Sequence, residues 1–199
     1  MHELVVRNAT LVDGTGAPRK MADIAVDGST ISAVGTDIGS ARREIDAEGL
    51  LLTPGWVDIH THYDGQATWD PYLTPSSWHG VTTAVFGNCG VGFAPVRPGK
   101  ERYLIQLMEG VEDIPETVLA EGIDFRWESF EQYLDVLEAA PHILDIGAQV
   151  PHAALRFYAM GGRGADHAQR PTDDEIERMG FALESALRCD AALLSPSTG

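Results

Sequence analysis

Two histidines separated by one residue, His60 and His62, are the clearest chemical signal in the sequence. They end the run Trp56 to His62, which follows a Pro54-Gly55 turn and is predicted to be a strand. Residues two apart on a strand share a face, so the two imidazoles are expected to project side by side. Neutral imidazole is a good ligand for a divalent metal. The alternative is a pair of polar histidines near a strand end with no metal role.

A cysteine lies at the end of the next predicted strand. Cys89 belongs to the segment Gly87-Asn88-Cys89-Gly90, directly after the β-branched run Val81 to Phe86. A thiolate is a strong zinc ligand, and metal coordination deprotonates the thiol. Free cysteine is also a common small buried hydrophobe, which is the competing interpretation. The sequence therefore predicts a metal site of His60, His62 and Cys89. The alternatives stay open: two polar histidines without a metal role, and a buried cysteine that only packs.

Four other polar residues lie near these ligands in the predicted topology. Asp58 is expected to orient a histidine rather than to bind metal. Asp64 could reach substrate or metal, or be an exposed loop acid. Asn88 could contact substrate or fix its turn, and His152, after the predicted third strand, could join the site or bond a backbone carbonyl.

The elements that must position these residues fall into two parts, 1–54 and 55–199. The first contains short β-prone runs separated by turn signals such as Asp27-Gly28, and we expect a small antiparallel unit. The second alternates strands and helices, which predicts a parallel sheet. Its predicted strands are Trp56 to His62, Val81 to Phe86, Ile143 to Val150 and Ala191 to Ser195; its helices are Lys100 to Glu109 and two that begin at the capping boxes Ser129-x-x-Gln132 and Thr172-x-x-Glu175. Val111 to Gly122 is predicted to be an inserted loop.

This pattern predicts an α/β fold that corresponds to the N-terminal half of a (β/α)8 barrel. A complete barrel takes about 250 residues, more than residues 55–199 provide. The active site of such barrels lies at the C-terminal ends of the strands. His60, His62, Cys89 and His152 would all lie at that end.

Composition narrows the function classes. The chain has 199 residues, a formal net charge of −16 and 44% hydrophobic residues. The negative charge argues against nucleic-acid binding. No run approaches the roughly 20 apolar residues of a membrane span, and no export signal begins the sequence. We therefore expect a cytoplasmic protein without a membrane partner, in which Cys89 and Cys189 do not form a disulfide framework.

Several motifs resemble one enzyme family. The run from Pro54 to Asp64, the segments Gly80-Val81-Thr82-Thr83 and Gly87-Asn88-Cys89-Gly90, and the stretch from Met108 to Pro115 resemble the N-acyl-D-amino-acid deacylases (D-aminoacylases) of the amidohydrolase superfamily. The resemblance extends to about Leu187. Most relatives in the superfamily bridge their metals with a carboxylated lysine, whereas the only lysines here are Lys20 and Lys100.

The resemblance implies that His60, His62 and Cys89 hold one or two zinc ions. It also implies hydrolysis of the amide bond of a small N-acyl-D-amino acid by zinc-activated water. A catalytic aspartate and two further histidines are expected beyond Gly199, along with the strands that complete a small β-sandwich begun by residues 1–54. This chain would then supply only part of the site.

Two alternatives stay open at this point. The 199-residue chain could be an inactive truncated or relic fragment, because an incomplete barrel leaves apolar faces uncovered and the tail from Cys189 to Gly199 fits the family poorly. The intact protein could instead hydrolyse a cyclic amide or another N-acyl compound. The acyl group, side-chain preference, metal count and oligomeric state do not follow from the sequence.

Overall fold

The computed structural model describes residues 1–112, 114–189 and 193–195, with backbone only for Glu112 and 193–195. Contacts between Cα atoms divide the chain into two compact units, Met1–Gly55 and Trp56–Gly199. Within the described residues, no helix is long and apolar enough to span a membrane.

The first unit is a five-stranded sheet in the order β3-β2-β1-β4, with β5 also paired to β1. Its strands are β1 His2–Leu11, β2 Lys20–Asp27, β3 Thr30–Gly35, β4 Ala41–Asp46 and β5 Leu51–Leu52. One face buries a small apolar cluster of Ala9, Leu11, Ala22 and Ile24.

The expectation that this unit is wholly antiparallel is wrong. β1, β2 and β3 pair antiparallel through their hairpin turns, but β4 and β5 pair parallel with β1. The chain crosses after β3 to the free edge of β1. Hairpin signals report only neighbouring strands, so this crossover has no local signature.

The second unit is a parallel four-stranded sheet in the order β6-β7-β8-β9. Its strands are β6 Trp56–Asp58, β7 Val81–Phe86, β8 Asp145–Pro151 and β9 Leu193–Ser195. Its α-helices are α1 Glu101–Glu112, α2 Glu116–Gly122, α3 Phe130–Ala139, α4 His152–Met160 and α5 Asp173–Arg188. Short 3-10 helices form at Gln66–Thr68, Ser76–His79, Asn88–Gly90 and Gly161–Ala165.

Both predicted capping boxes are present. The Ser129 hydroxyl accepts from the Gln132 backbone N–H at the start of α3, and Thr172 does the same with Glu175 at the start of α5. In turn, the side-chain oxygens of Gln132 and Glu175 accept from the backbone N–H groups of Ser129 and Thr172. Two otherwise unpaired donors are therefore satisfied at the start of each helix. These boxes fix where α3 and α5 begin.

Two element predictions in this unit are wrong. β6 ends at Asp58, so His60 and His62 lie after the strand, not within it. The predicted loop from Val111 to Gly122 contains α2, and its first residue Glu116 pairs with Arg102 of α1 at 2.6 Å. For the fourth predicted strand, Ala191 and Ala192 lie outside the described residues.

The core of the second unit lies between its sheet and helices. Phe86 of β7, Val150 of β8 and Tyr133 of α3 are each at most 1% exposed. Tyr103 of α1 stacks on Phe157 of α4 with ring centroids 3.7 Å apart. This packing holds the helices against the strands whose C-terminal ends carry the candidate site.

Candidate metal centre

The segment after β6 is irregular but tied to β7. The His60 backbone N–H donates to Asp58 Oδ1 at 3.2 Å, which turns the chain out of the strand. The Thr61 backbone N–H and hydroxyl both donate to the Val85 carbonyl at 2.9 Å. The two histidines therefore flank a residue anchored to the neighbouring strand.

Asn88 joins the same anchor from the other side. Its side-chain amide donates to the carbonyls of Thr61 at 3.1 Å and Val85 at 3.0 Å. Gln149 of β8 donates to Asn88 Oδ1 at 3.3 Å. Asn88 is 7% exposed, so these bonds form in a shielded environment and link the ends of three consecutive strands.

A tight turn presents Cys89. Gly87 and Cys89 both have positive φ, 82° and 54°. An added Cβ at Gly87 would overlap the carbonyl oxygen of Gln149, so only glycine fits there. The turn places the Cys89 side chain back toward the segment after β6.

Three candidate ligands come together. His60 Nε2 lies 3.3 Å from Cys89 Sγ, and the rings of His60 and His62 lie 5.6 Å apart at 67°. One ligand atom from each of His60, His62 and Cys89 lies within 4.8 Å of the others. Donors that share a metal at roughly 2.0 to 2.3 Å lie at most about 4.6 Å apart, so these side chains need to shift by only about a few tenths of an ångström to hold one ion.

The charge state of His62 suits metal binding. Burial lowers the pKa of His62, and the charge of neighbouring His60 lowers it further. The neutral imidazole that results is the form that coordinates metal. Zinc binds both imidazole nitrogen and thiolate sulfur, so the residues present fit a divalent ion such as zinc.

Asp64 differs from the exposed loop acid considered above. It is 2% exposed, and its backbone carbonyl accepts from the Tyr133 hydroxyl at 2.7 Å. Burial raises the pKa of Tyr133, and the charge of Asp64 raises it further. An added Cβ at Gly92 would lie 2.7 Å from Asp64 Oδ1 and 2.8 Å from Pro151 Cγ, so the carboxylate fills a tight space.

His152 does not belong to the ligand cluster. It is the first residue of α4, one position after β8 ends at Pro151. Among the described residues, only His60, His62 and Cys89 lie close enough together to form a group of potential metal ligands. Burial lowers the pKa of His152, and the nearby positive charges of Arg156 and His167 lower it further. The expectation that His152 ends the third strand is thus wrong by one residue, because the strand ends at Pro151 and His152 begins α4.

Sequence reasoning missed the residues that support the ligands. Thr61 lies between the two histidines and Gln149 lies in β8, and neither has a spacing signature because their role depends on contacts across the sheet. Tyr133 belongs to the apolar side of α3, where its hydroxyl gave no sign of a partner in the loop after β6. Only the folded arrangement connects them.

Comparison with known proteins identifies the family of this chain. The model of the amidohydrolase family matches residues 43–189. The chain belongs to the amidohydrolase family. D-aminoacylase of Alcaligenes xylosoxydans xylosoxydans is 34% identical over 194 residues, which cover 97% of this chain and 37% of that protein. The chain thus spans about 37% of the length of this curated relative.

Solved structures of amidohydrolases agree with this assignment. A D-aminoacylase, described as having a binuclear metal centre, superposes with a TM-score of 0.78 at 35% identity, covering 95% of this chain and 37% of that one. N-acyl-D-glutamate deacylase from Bordetella bronchiseptica was solved with zinc and a phosphonate mimic of the tetrahedral intermediate. It superposes with a TM-score of 0.76 at 30% identity, covering 98% of this chain and 38% of that one. These matches confirm the predicted fold class of an N-terminal amidohydrolase segment.

Proposed function

We propose that this chain is the metal-binding N-terminal part of a zinc hydrolase that cleaves the amide bond of N-acyl-D-amino acids. The observation that carries the proposal is the cluster of His60, His62 and Cys89, with ligand atoms within 4.8 Å of one another. The named activities of the similar D-aminoacylase and N-acyl-D-glutamate deacylase support the substrate class.

His60 and His62 would hold zinc through neutral imidazole nitrogens, and Cys89 through its thiolate. A bound zinc ion lowers the pKa of water and polarises a carbonyl oxygen. Cys89 is the residue of this chain that we assign to the position of a bridging ligand, because its Sγ lies 3.3 Å from His60 Nε2.

The other residues of the chain hold these ligands in place. Asp58 fixes the His60 backbone, while Asn88 and Thr61 tie the His-x-His segment to β7. Preorganised ligands cost less entropy on binding. We assign proton transfer to an aspartate outside this chain, because the described residues offer no acid in the ligand cluster.

The test uses the purified intact protein, of which this chain is proposed to be the N-terminal part, with N-acetyl-D-amino acids, their L-enantiomers and a cyclic amide such as a hydantoin. Zinc-dependent release of the free D-amino acid, lost on chelation and restored by zinc, is the expected result. Preferential turnover of the hydantoin would instead favour the cyclic-amide alternative. Zinc-independent turnover would contradict the proposal.

The 199-residue chain should be assayed alone as well. Catalytic zinc sites use three protein ligands with an open position, and a hydrolase also needs an acid or base close to the reacting amide. We propose that residues 1–199 alone bind zinc but do not turn over substrate. Deacylation by the isolated 199-residue chain would overturn this part of the proposal.

A further inference from the structure

A small cleft opens beside His62. Its volume is about 300 Å³, and its walls include His62, Tyr63, Gln66, Thr74, Ser76 and Ile114. This size lies at the lower end of the range of about 300 to 1,000 Å³ for ligand pockets. A group held there would lie next to a candidate metal ligand.

Hydrogen bonds fix the walls of this cleft. The Tyr63 hydroxyl donates to Ser76 Oγ at 2.7 Å and accepts from the Ser76 backbone N–H at 3.2 Å. Gln66 Nε2 donates to the Thr74 carbonyl at 2.7 Å and to Asp70 Oδ2 at 2.8 Å. These polar groups already have partners, so the cleft has a preformed shape.

The cleft is unsuited to an anion. No lysine or arginine lines it among the described residues, whereas recognition of a carboxylate normally uses a cation. Asp70 lies behind the Gln66 wall and also accepts from the Thr74 and Tyr72 backbone N–H groups. Burial raises the pKa of Asp70, but these donors outweigh it and the net pKa is lowered, so a negative charge persists there.

We propose that this cleft is the subsite for the uncharged acyl group of the substrate, with Ile114 as a specificity-determining residue at its wall. The inference rests on the proposed deacylase function. An N-acyl-D-amino acid carries its negative charge on the amino-acid part, and an N-acyl-D-glutamate carries two such charges. The acyl group is the part without charge, and its alkyl chain is bonded directly to the carbonyl carbon that must lie beside the metal.

Acyl-chain selectivity of the intact, zinc-loaded protein, of which this chain is proposed to be the N-terminal part, tests the inference. The measurement is the ratio of kcat/KM for an N-hexanoyl-D-amino acid to that for the N-acetyl compound. Ile114→Trp should lower this ratio at least about tenfold, because the indole would fill the space for the longer chain and each methylene that loses its contact with an apolar side chain costs about tenfold or more. Ile114→Ala should raise it, because the longer chain gains room.

Val118→Ala is the matched control. Val118 lies on α2, four residues further along the chain, is 50% exposed and does not line the cleft. Its substitution should leave the ratio unchanged. Ile114 variants that leave the ratio at the wild-type value overturn the inference, as do variants that change selectivity among D-side chains instead.

Ligand binding separates this inference from the proposed function. The Ile114 methyl resonance, assigned with Ile114→Val in protein labelled at isoleucine methyl groups, should shift on addition of N-hexanoyl-glycine and less with N-acetyl-glycine. Absent turnover by the intact protein, together with a shifted Ile114 signal, would reject the deacylase assignment while supporting an acyl-binding cleft. Active enzyme with an unmoved Ile114 signal would reject the cleft assignment alone.

Discussion

His60 Nε2 and Cys89 Sγ lie 3.3 Å apart although 29 positions separate the two residues in the chain. The contact joins the segment after β6 to the turn after β7. If both side chains bind one ion, Cys89→Ser should remove the sulfur-to-metal charge-transfer band of the cobalt-substituted protein and weaken zinc binding more than tenfold. The exposed Cys189 at the end of α5 provides the control, because Cys189→Ser should leave the band intact. A persistent band in Cys89→Ser would exclude the thiolate ligand.

The turn that presents Cys89 depends on Gly87. Gly87→Ala forces a positive φ on alanine and places its Cβ against the Gln149 carbonyl. We expect a loss of at least about 2 kcal/mol in the free energy of unfolding, measured by urea titration. Gly180→Ala is the matched control: Gly180 lies within α5 with no atom within 4 Å of an added Cβ. That change should stabilise by about 0.5 to 1 kcal/mol.

Tyr133 ties α3 to the loop that follows the histidines. Tyr133→Phe removes the buried bond to the Asp64 carbonyl and should cost about 1 to 3 kcal/mol of unfolding free energy, since a buried acceptor loses its donor. Tyr72→Phe removes a hydroxyl from a side chain that is 58% exposed and should have no measurable effect. Equal stabilities for the two variants would show that the Tyr133 bond contributes nothing.

His152 predicts a pH dependence. Its pKa is lowered in the folded state by burial and by nearby positive charges, whereas the unfolded chain has a value of about 6.5. Between those two pKa values the unfolded state binds more protons, so stability falls as the pH drops below about 6.5 and levels off below the folded pKa. His152→Gln should flatten this slope between pH 7 and pH 5, in urea titrations with chelator present. An unchanged slope would contradict the assignment.

Local sequence rules predicted the parts of the fold that depend on local interactions. The capping boxes at Ser129 and Thr172 start α3 and α5 as expected, because each is completed within four residues. Val81 to Phe86 forms β7 with the predicted bounds, since a β-branched run favours a buried strand. The resemblance to amidohydrolases rested on short sequence motifs, and the match of the family model to residues 43–189 confirms the family.

The features that were not predicted correctly depend on contacts between residues far apart in the sequence. β6 stops at Asp58 because its carboxylate binds the His60 N–H and Val85 anchors Thr61, and neither contact appears in the alternation that suggested a longer strand. The proximity of His60, His62 and Cys89 therefore arises from an irregular segment pinned to β7, not from one strand face. α2 was missed because the contacts that stabilise it, the burial of Leu119 and the ion pair of Glu116 with Arg102, form only in the folded unit.

The Val85 carbonyl accepts hydrogen bonds from Thr61 and Asn88, and these protein contacts hold the backbone beside the three candidate ligands. A chelator can then withdraw a bound ion without releasing the segment that held it. We expect demetallation to be fast to reverse and nearly invisible to far-ultraviolet circular dichroism. In this respect the centre would differ from structural zinc sites, in which the ion and the fold are lost together.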